Sequence, residues 1–145
     1  MTSFGEAVGL FYRNYVNFEG RASRSEHWWP FLMQFIVYLA LFVALAFVVG
    51  GDLSEDTGEF TPAAMGLLMA MGLFALINFL PNLSLQVRRF HDLDQTGWLV
   101  LVFTIANGII GLTWFAQMIW YMVRGTNGPN KYGPDPLMNN ADIFG

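Results

Sequence analysis

An all-α, polytopic membrane helical bundle is the fold this sequence predicts, and three observations predict it. Charge is scarce: 12% of the 145 residues are charged, 54% are apolar and 17% aromatic, about half the charge share of a soluble domain. The charges are also gathered into a few places. No Asp, Glu, Lys or Arg occurs in 28–51, 60–87 or 95–123, runs of 24, 28 and 29 residues. Each run exceeds the ~20 residues that cross ~30 Å of hydrocarbon at ~1.5 Å per residue. The length suits a single integral membrane domain over 1–145, with a cytoplasmic helix and turn in 1–22, an embedded part in 23–123 and a tail in 124–145.

The elements follow in chain order. Ser3 and Glu6 make an S-x-x-E start signal, in which each side chain satisfies a free N–H of the first helical turn. Phe4, Val8, Phe11, Tyr15 and Phe18 recur at helical spacing, which predicts an amphipathic helix of about four turns with Glu6, Arg13 and Asn14 on its other side. Such a helix lies in the membrane interface or covers the inner end of the bundle. The polar stretch NFEGRASRSE, residues 17–26, then turns the chain. Ser23 and Glu26 repeat the S-x-x-E signal as the cap of the first membrane helix. His27, Trp28 and Trp29 fall at headgroup depth, and Pro30 predicts a bend because it lacks an N–H.

The second membrane helix is expected to start at Pro62 with Thr61 as its cap. Ala63, Gly66, Ala70 and Gly72 predict close helix–helix approach in its first half. Its second half changes character: Asn78, Asn82, Gln86 and Arg89 advance by fours and a three, so they share one face. Amides in hydrocarbon are costly unless partnered, so this intramembrane stripe must face protein or a wet cavity. Interhelical glue is the simpler role, a polar binding groove the sharper one.

The third uncharged run admits two readings. One tilted span from Trp98 to Val123 would put the C-terminus outside. The midpoint Asn107-Gly108-Ile109-Ile110-Gly111 is a turn signal, however, and favours a short re-entrant helical hairpin. The tail, RGTNGPNKYGPDPLMNNADIFG, is rich in Gly, Pro and Asn and cannot continue a helix. Within it, Asn130 and Tyr132 are candidate anchors back onto the bundle.

Orientation follows from the charges. Asp52, Glu55, Asp56 and Glu59 lie between the first two apolar runs with no Lys or Arg among them, and elsewhere acids and bases balance. The formal charge of −4 thus resides in one loop. Cytoplasmic loops collect Lys and Arg, which places the N-terminus and 88–97 inside and 51–61 outside. No secretory signal is evident ahead of Trp28. There is no cysteine and there are only two histidines, so disulfides, thiolate catalysis and cysteine metal sites are excluded and no metal or cofactor is expected. No basic patch with interleaved aromatics points to nucleic acid.

Three pieces form a recognisable set: NFEGRASRSEHWW at 17–29, RRFHDLDQTGW at 88–98 and GTNGPNKYGPDP at 125–136. In this order they resemble the bacterial inner-membrane family called domain of unknown function 805, over about Tyr15 to Pro136. The matching residues include Gly20, Arg21, Arg24, Glu26, Trp28, Arg88, Arg89, His91, Asp92, Gly97, Trp98, Gly125, Asn130 and Tyr132. The resemblance implies a small multi-pass protein of the bacterial cytoplasmic membrane with no established activity. Gln95 and Thr96 stand where the pattern carries Arg-Ser, and Pro30 where it carries an aromatic or aliphatic residue.

RRFHDLD has the residue types of an active site, but neighbours in a helix point ~100° apart, so His91 and Asp92 form no direct dyad there. Asp92 should instead face Arg88 and Arg89, four and three residues back. Arg21, Arg24, Glu26, Arg88, Arg89, His91 and Asp92 are expected to assemble one polar network at the inner interface, with headgroup binding as a further use. No catalytic residue is assigned, and nothing resembles a P-loop, a nucleotide fingerprint, a nucleophile elbow or a zincin motif. Three functional classes stand. A non-enzymatic interaction, scaffold or regulatory component is favoured. Binding of an anionic lipid headgroup or small anion comes next, with Arg gripping phosphate, and an oligomeric transporter or pore component last. The expected partners are the bilayer, anionic phospholipid, and a second copy or another membrane protein.

Overall fold

The computed structural model describes residues 2–52, 60–111 and 113–138. The chain is all-helical: α1 (Phe4–Arg13), α2 (Arg24–Asp52), α3 (Pro62–Asp92), α4 (Leu99–Ile110) and α5 (Thr113–Met122). The acidic residues Glu55, Asp56 and Glu59 lie outside the described residues.

Local chemistry explains where each helix begins and ends. Ser3 and Glu6 form the reciprocal capping box of α1. That helix ends at Arg13, a turn earlier than the apolar spacing suggested. Asn14 and Asn17 compete with the backbone: the Asn14 amide donates to the Leu10 carbonyl at 2.9 Å and the Asn17 amide to the Asn14 side chain at 2.9 Å. Ala7 and Phe11 are the buried positions, while Phe4 and Phe18 are exposed. Asn14 is half-buried, and its backbone carbonyl accepts from the Ser84 hydroxyl at 2.7 Å.

Ser23 and Glu26 cap α2 reciprocally, with Glu26 N–H donating to Ser23 Oγ at 3.3 Å and Ser23 N–H to Glu26 Oε1 at 3.4 Å. Thr61 Oγ1 caps α3 by accepting from Ala64 N–H at 3.3 Å. The two helices have 29 and 31 residues, about 44 and 46 Å at 1.5 Å per residue, enough to cross the hydrocarbon layer. None of the most apolar window of α2 is buried, and only 11% of that of α3. A soluble core helix would bury that surface against protein; these helices leave it for lipid.

The third apolar run is a helical hairpin. Gly111 takes a left-handed φ of 72° and its N–H donates to the Asn107 carbonyl at 2.9 Å, ending α4. The Asn107 side chain then accepts from Trp114 N–H at 3.3 Å, starting the return. Phe103 of α4 meets Trp120 of α5 edge to face at 5.8 Å, so the arms run antiparallel. At 12 and 10 residues, neither arm reaches more than ~18 Å. The single tilted span is therefore replaced by two short helices.

The described residues of 1–30 and 80–145 form one compact unit and 31–79 a second. The divisions fall beside Pro30 and Pro81, the two prolines inside helices, where each helix lacks one backbone bond. In the second unit the helices meet at Tyr38 and Phe74, edge to face at 5.2 Å. The expected close approach at Gly66 and Gly72 does not occur among the described residues: a Cβ at either would meet nothing within 4 Å. The first unit carries the apolar core. Phe90, fully buried, stacks on Phe103 at 5.8 Å and packs edge-on to Tyr121 at 5.4 Å, with Val100 completing the cluster. A smaller cluster joins Phe11, Ala22 and Leu85.

Candidate functional site

The candidate site lies within the first unit, where the N-terminal turn, the end of α3 and the tail meet. A left-handed Gly20, φ 78°, directs residues 21–23 along the end of α3, where Ala22 N–H donates to the Arg88 carbonyl at 3.0 Å. Arg21 is thereby brought to Asp92. Its Nε donates to Asp92 Oδ1 at 3.0 Å, and its terminal nitrogens donate to the carbonyls of Gly128 and Thr126 at 2.6 Å each.

Arg89 approaches the other oxygen of the same carboxylate. One terminal nitrogen donates to Asp92 Oδ2. The other donates to the carbonyls of Tyr121, at 3.0 Å, and Val123, and Nε adds a bond to Tyr121 at 3.3 Å. Arg89 is 0% exposed and Asp92 3%. Burying such charges costs several kcal/mol per ion unless each is paired and hydrogen-bonded, and here every guanidinium nitrogen of both arginines is engaged. Tyr121 and Val123 lie at the last turn of α5, so Arg89 also caps free carbonyls at that helix C-terminus.

The tail closes around this core. Thr126 N–H donates to the Asp92 carbonyl at 2.9 Å. The Asn130 amide donates to the His91 carbonyl at 2.9 Å and to Thr126 Oγ1 at 3.0 Å. The Tyr132 ring stacks on the His91 imidazole at 3.8 Å and 4°, and His91 Nδ1 is bonded to the Gly20 carbonyl at 3.1 Å. His91 and Asp92 thus point to different partners. Asp135 holds the tail's own turn, accepting from Gly128 N–H at 3.0 Å and Leu137 N–H at 2.9 Å.

The remaining expected members sit apart from this core. Arg88 does not pair with Asp92, because its place in the helix turns it toward Glu26, whose charge it feels without a direct ion pair. Arg88 is 4% exposed and its Nε has no hydrogen-bond partner; His27 Nδ1 is the other buried polar atom so left among the described residues. Glu26 is bonded to Ser23, Oγ to Oε1 at 3.0 Å. Arg24 is exposed. It borders a small cleft with Arg124, Asn127, Asp92, Asp135 and Leu137. The amide stripe divides as well. Asn78 turns back to the Phe74 carbonyl of its own helix at 2.8 Å. Gln86 faces the hairpin, its Oε1 accepting from Gln117 at 3.1 Å and from the Tyr121 hydroxyl at 3.2 Å.

A family described as "Protein of unknown function (DUF805)" matches residues 15–134, a span containing Arg21, Arg89, Asp92 and the tail residues that close on them. The chain belongs to this family. Inner membrane protein YhaH of Escherichia coli (strain K12) is 33% identical over 126 residues, 87% of this chain and 92% of its own. Inner membrane protein YhaI of the same strain is 35% identical over 125 residues, 86% of this chain and 89% of its own. No solved structure matches the chain. With two helices long and apolar enough to cross a bilayer, the protein is an integral protein of the bacterial inner membrane.

The geometry accounts for several residues that the family pattern carries. At Gly125 a Cβ would overlap the Asp92 carboxylate, so only glycine lets the tail pass over the buried acid. At Gly97 a Cβ would come within 2.6 Å of Val87 Cγ1 and 3.1 Å of His91 Nε2. At the departures from the pattern, Gln95 N–H donates to the Phe90 carbonyl at 2.9 Å and Thr96 Oγ1 accepts from Trp98 N–H at 3.4 Å, local turn bonds that need no cation. Sequence reasoning missed Thr126, Gly128, Tyr121 and Val123, which contribute backbone carbonyls or amides. The Gly-rich spacing of GTNGPN was the one visible signal, since a buried acid crossed by backbone calls for glycine there.

Proposed function

We propose that the protein is a non-enzymatic, multi-pass inner-membrane component whose polar network holds a rigid cytoplasmic face for contact with another membrane protein or a second copy. One observation carries this reading: Arg21, Arg89 and Asp92 are saturated by one another and by backbone carbonyls. General acid–base catalysis needs a group free to exchange a proton with substrate. Here the one histidine of the network is bonded through Nδ1 to Gly20 and covered by the Tyr132 ring. The bonds of Gln86 to Gln117 and Tyr121 likewise favour glue over a pore lining.

A cytoplasmic N-terminus is favoured by the acidic loop between the first two apolar runs. The bonds from Arg21 to Thr126 and Gly128 support a tail on the same side. Single cysteines at Asp56, Gln95 and Asn140 read out the topology. Gln95 and Asn140 should be labelled only from the cytoplasm and Asp56 only from the periplasm; labelling of Asn140 from the periplasm removes the shared side. The interaction role is tested by photo-crosslinkers at Val16, Trp98 and Met138, at the end of the molecule that carries the network and 62, 74 and 42% exposed. A discrete protein adduct from at least one position in intact membranes is expected. Adducts to lipid alone from all three would sink the reading.

A further inference from the structure

Of the five arginines gathered at this end of the first unit, two have nothing to hold. Arg21 and Arg89 are consumed by Asp92 and by carbonyls, and Arg88 is buried toward Glu26. Arg24 and Arg124 are exposed, and among the described residues neither side chain makes a hydrogen bond or ion pair. Both border the same cleft, formed between the first turn of α2 and the tail.

The acids of that cleft form no ion pair with either arginine, although Asp135 is near enough to Arg124 to feel its charge. Asp92 has both oxygens taken by Arg21 and Arg89, and Asp135 has both taken by the N–H groups of Gly128 and Leu137. The unfilled capacity is therefore that of donors: two guanidiniums and the exposed Asn127 amide. Guanidinium forks match the oxygens of a phosphate in pairs, and an anion there would also offset the positive excess left by two arginines around one carboxylate. We propose that Arg24 and Arg124 form a binding site for a phosphate group, presented by an anionic phospholipid or free in solution.

Two features favour the lipid as its source. Trp28, where the uncharged run of α2 begins, is one helical turn beyond Arg24, which puts Arg24 in the headgroup layer. Leu137, 50% exposed, borders the same cleft and offers an apolar wall to the glycerol and acyl neck. Binding to this pair would leave the Asp92 network intact, so the site is separate from the core that fixes the shape.

The test compares the full-length protein with Arg24→Gln, Arg124→Gln and the double variant in detergent, by native mass spectrometry with added phosphatidylglycerol or phosphatidylcholine. Thermal unfolding is followed with and without inorganic phosphate. The wild type should retain phosphatidylglycerol over phosphatidylcholine, each single variant should weaken that retention by about tenfold, and the double variant should abolish the preference. Lys131→Gln, which removes only an exposed pair with Asp94, should retain as the wild type does. Protection by inorganic phosphate that depends on both arginines assigns the site to free phosphate; retention of lipid without such protection assigns it to the headgroup. A wild type that neither prefers phosphatidylglycerol nor responds to phosphate overturns the proposal. So does a double variant that keeps the wild-type preference.

Discussion

The two compact units of this chain solve the burial of polar groups in opposite ways. The described residues of 31–52 and 60–79 are almost wholly helix with little that is polar to satisfy: many large apolar side chains stand exposed, and Asn78 bonds back to its own helix. Residues 1–30 and 80–138 hold a buried carboxylate between two guanidiniums, sealed by carbonyls from the end of α5 and from the tail. Stability in the first case comes from lipid and backbone hydrogen bonds, which many side chains can share. In the second it rests on a few atoms whose loss leaves a charge uncompensated.

That contrast is quantitative, and the largest effect lies at its centre. Asp92→Ala strands Arg21 and Arg89 and should cost about 3–5 kcal/mol, seen as a large drop in the unfolding midpoint in detergent. Leu76→Ala, at a position 71% exposed, should change stability by less than about 0.5 kcal/mol. Equal losses from the two would erase the distinction between the units.

Glycine offers the next comparison. Gly125→Ala drives a methyl group into the Asp92 carboxylate and should cost about 1–3 kcal/mol, as overpacking does. Gly72→Ala, with nothing within 4 Å, should be silent in the monomer. A loss at Gly72 that depends on protein concentration would mean that a second copy packs there.

Smaller effects concern the tail. Tyr132→Ala removes the ring stacked on His91 and should cost about 0.5–1.5 kcal/mol, with faster proteolysis between Arg124 and Leu137 while the helices stay intact. Unchanged cleavage would show that Asn130 and Thr126 hold the tail alone. The weakest effect is one of acidity. Partial burial would raise the Asp135 carboxyl, but the N–H groups of Leu137 and Gly128, with Arg21 and Arg124 nearby, hold it below its ordinary 3.8. A depressed folded-state value stabilises the tail above the ordinary carboxylate range, and that contribution is lost as the pH falls through the folded value. Tail proteolysis by an acid-active protease should therefore rise only at pH below about 4, and Asp135→Asn should remove the step.

Much of the architecture is written locally. S-x-x-E at Ser3 and Ser23, Thr61 before Pro62, and Asn107 with Gly111 all act within one turn of chain, so residue type and spacing reveal them. The uncharged runs likewise give length against bilayer thickness, a comparison that needs no partner. The end of α1 was less legible, because Asn14 and Asn17 stop a helix that the apolar spacing alone would continue.

The polar residues of this end were legible as types, but not which of them meet. Arg88 and Arg89 are adjacent and chemically identical, yet the ~100° between neighbours in a helix sends one toward Glu26 and the other to Asp92. Arg21 finds Thr126 and Gly128 across more than a hundred residues, and its acceptors there are backbone carbonyls that every residue possesses. No sequence signal marks such an acceptor. Composition, charge spacing and turn chemistry therefore set the two long spans and marked a turn signal within the third apolar run, since each depends on near neighbours in the chain. Only the packed structure decided which arginines are spent on Asp92 and which two remain open, because that depends on distances between segments far apart in sequence.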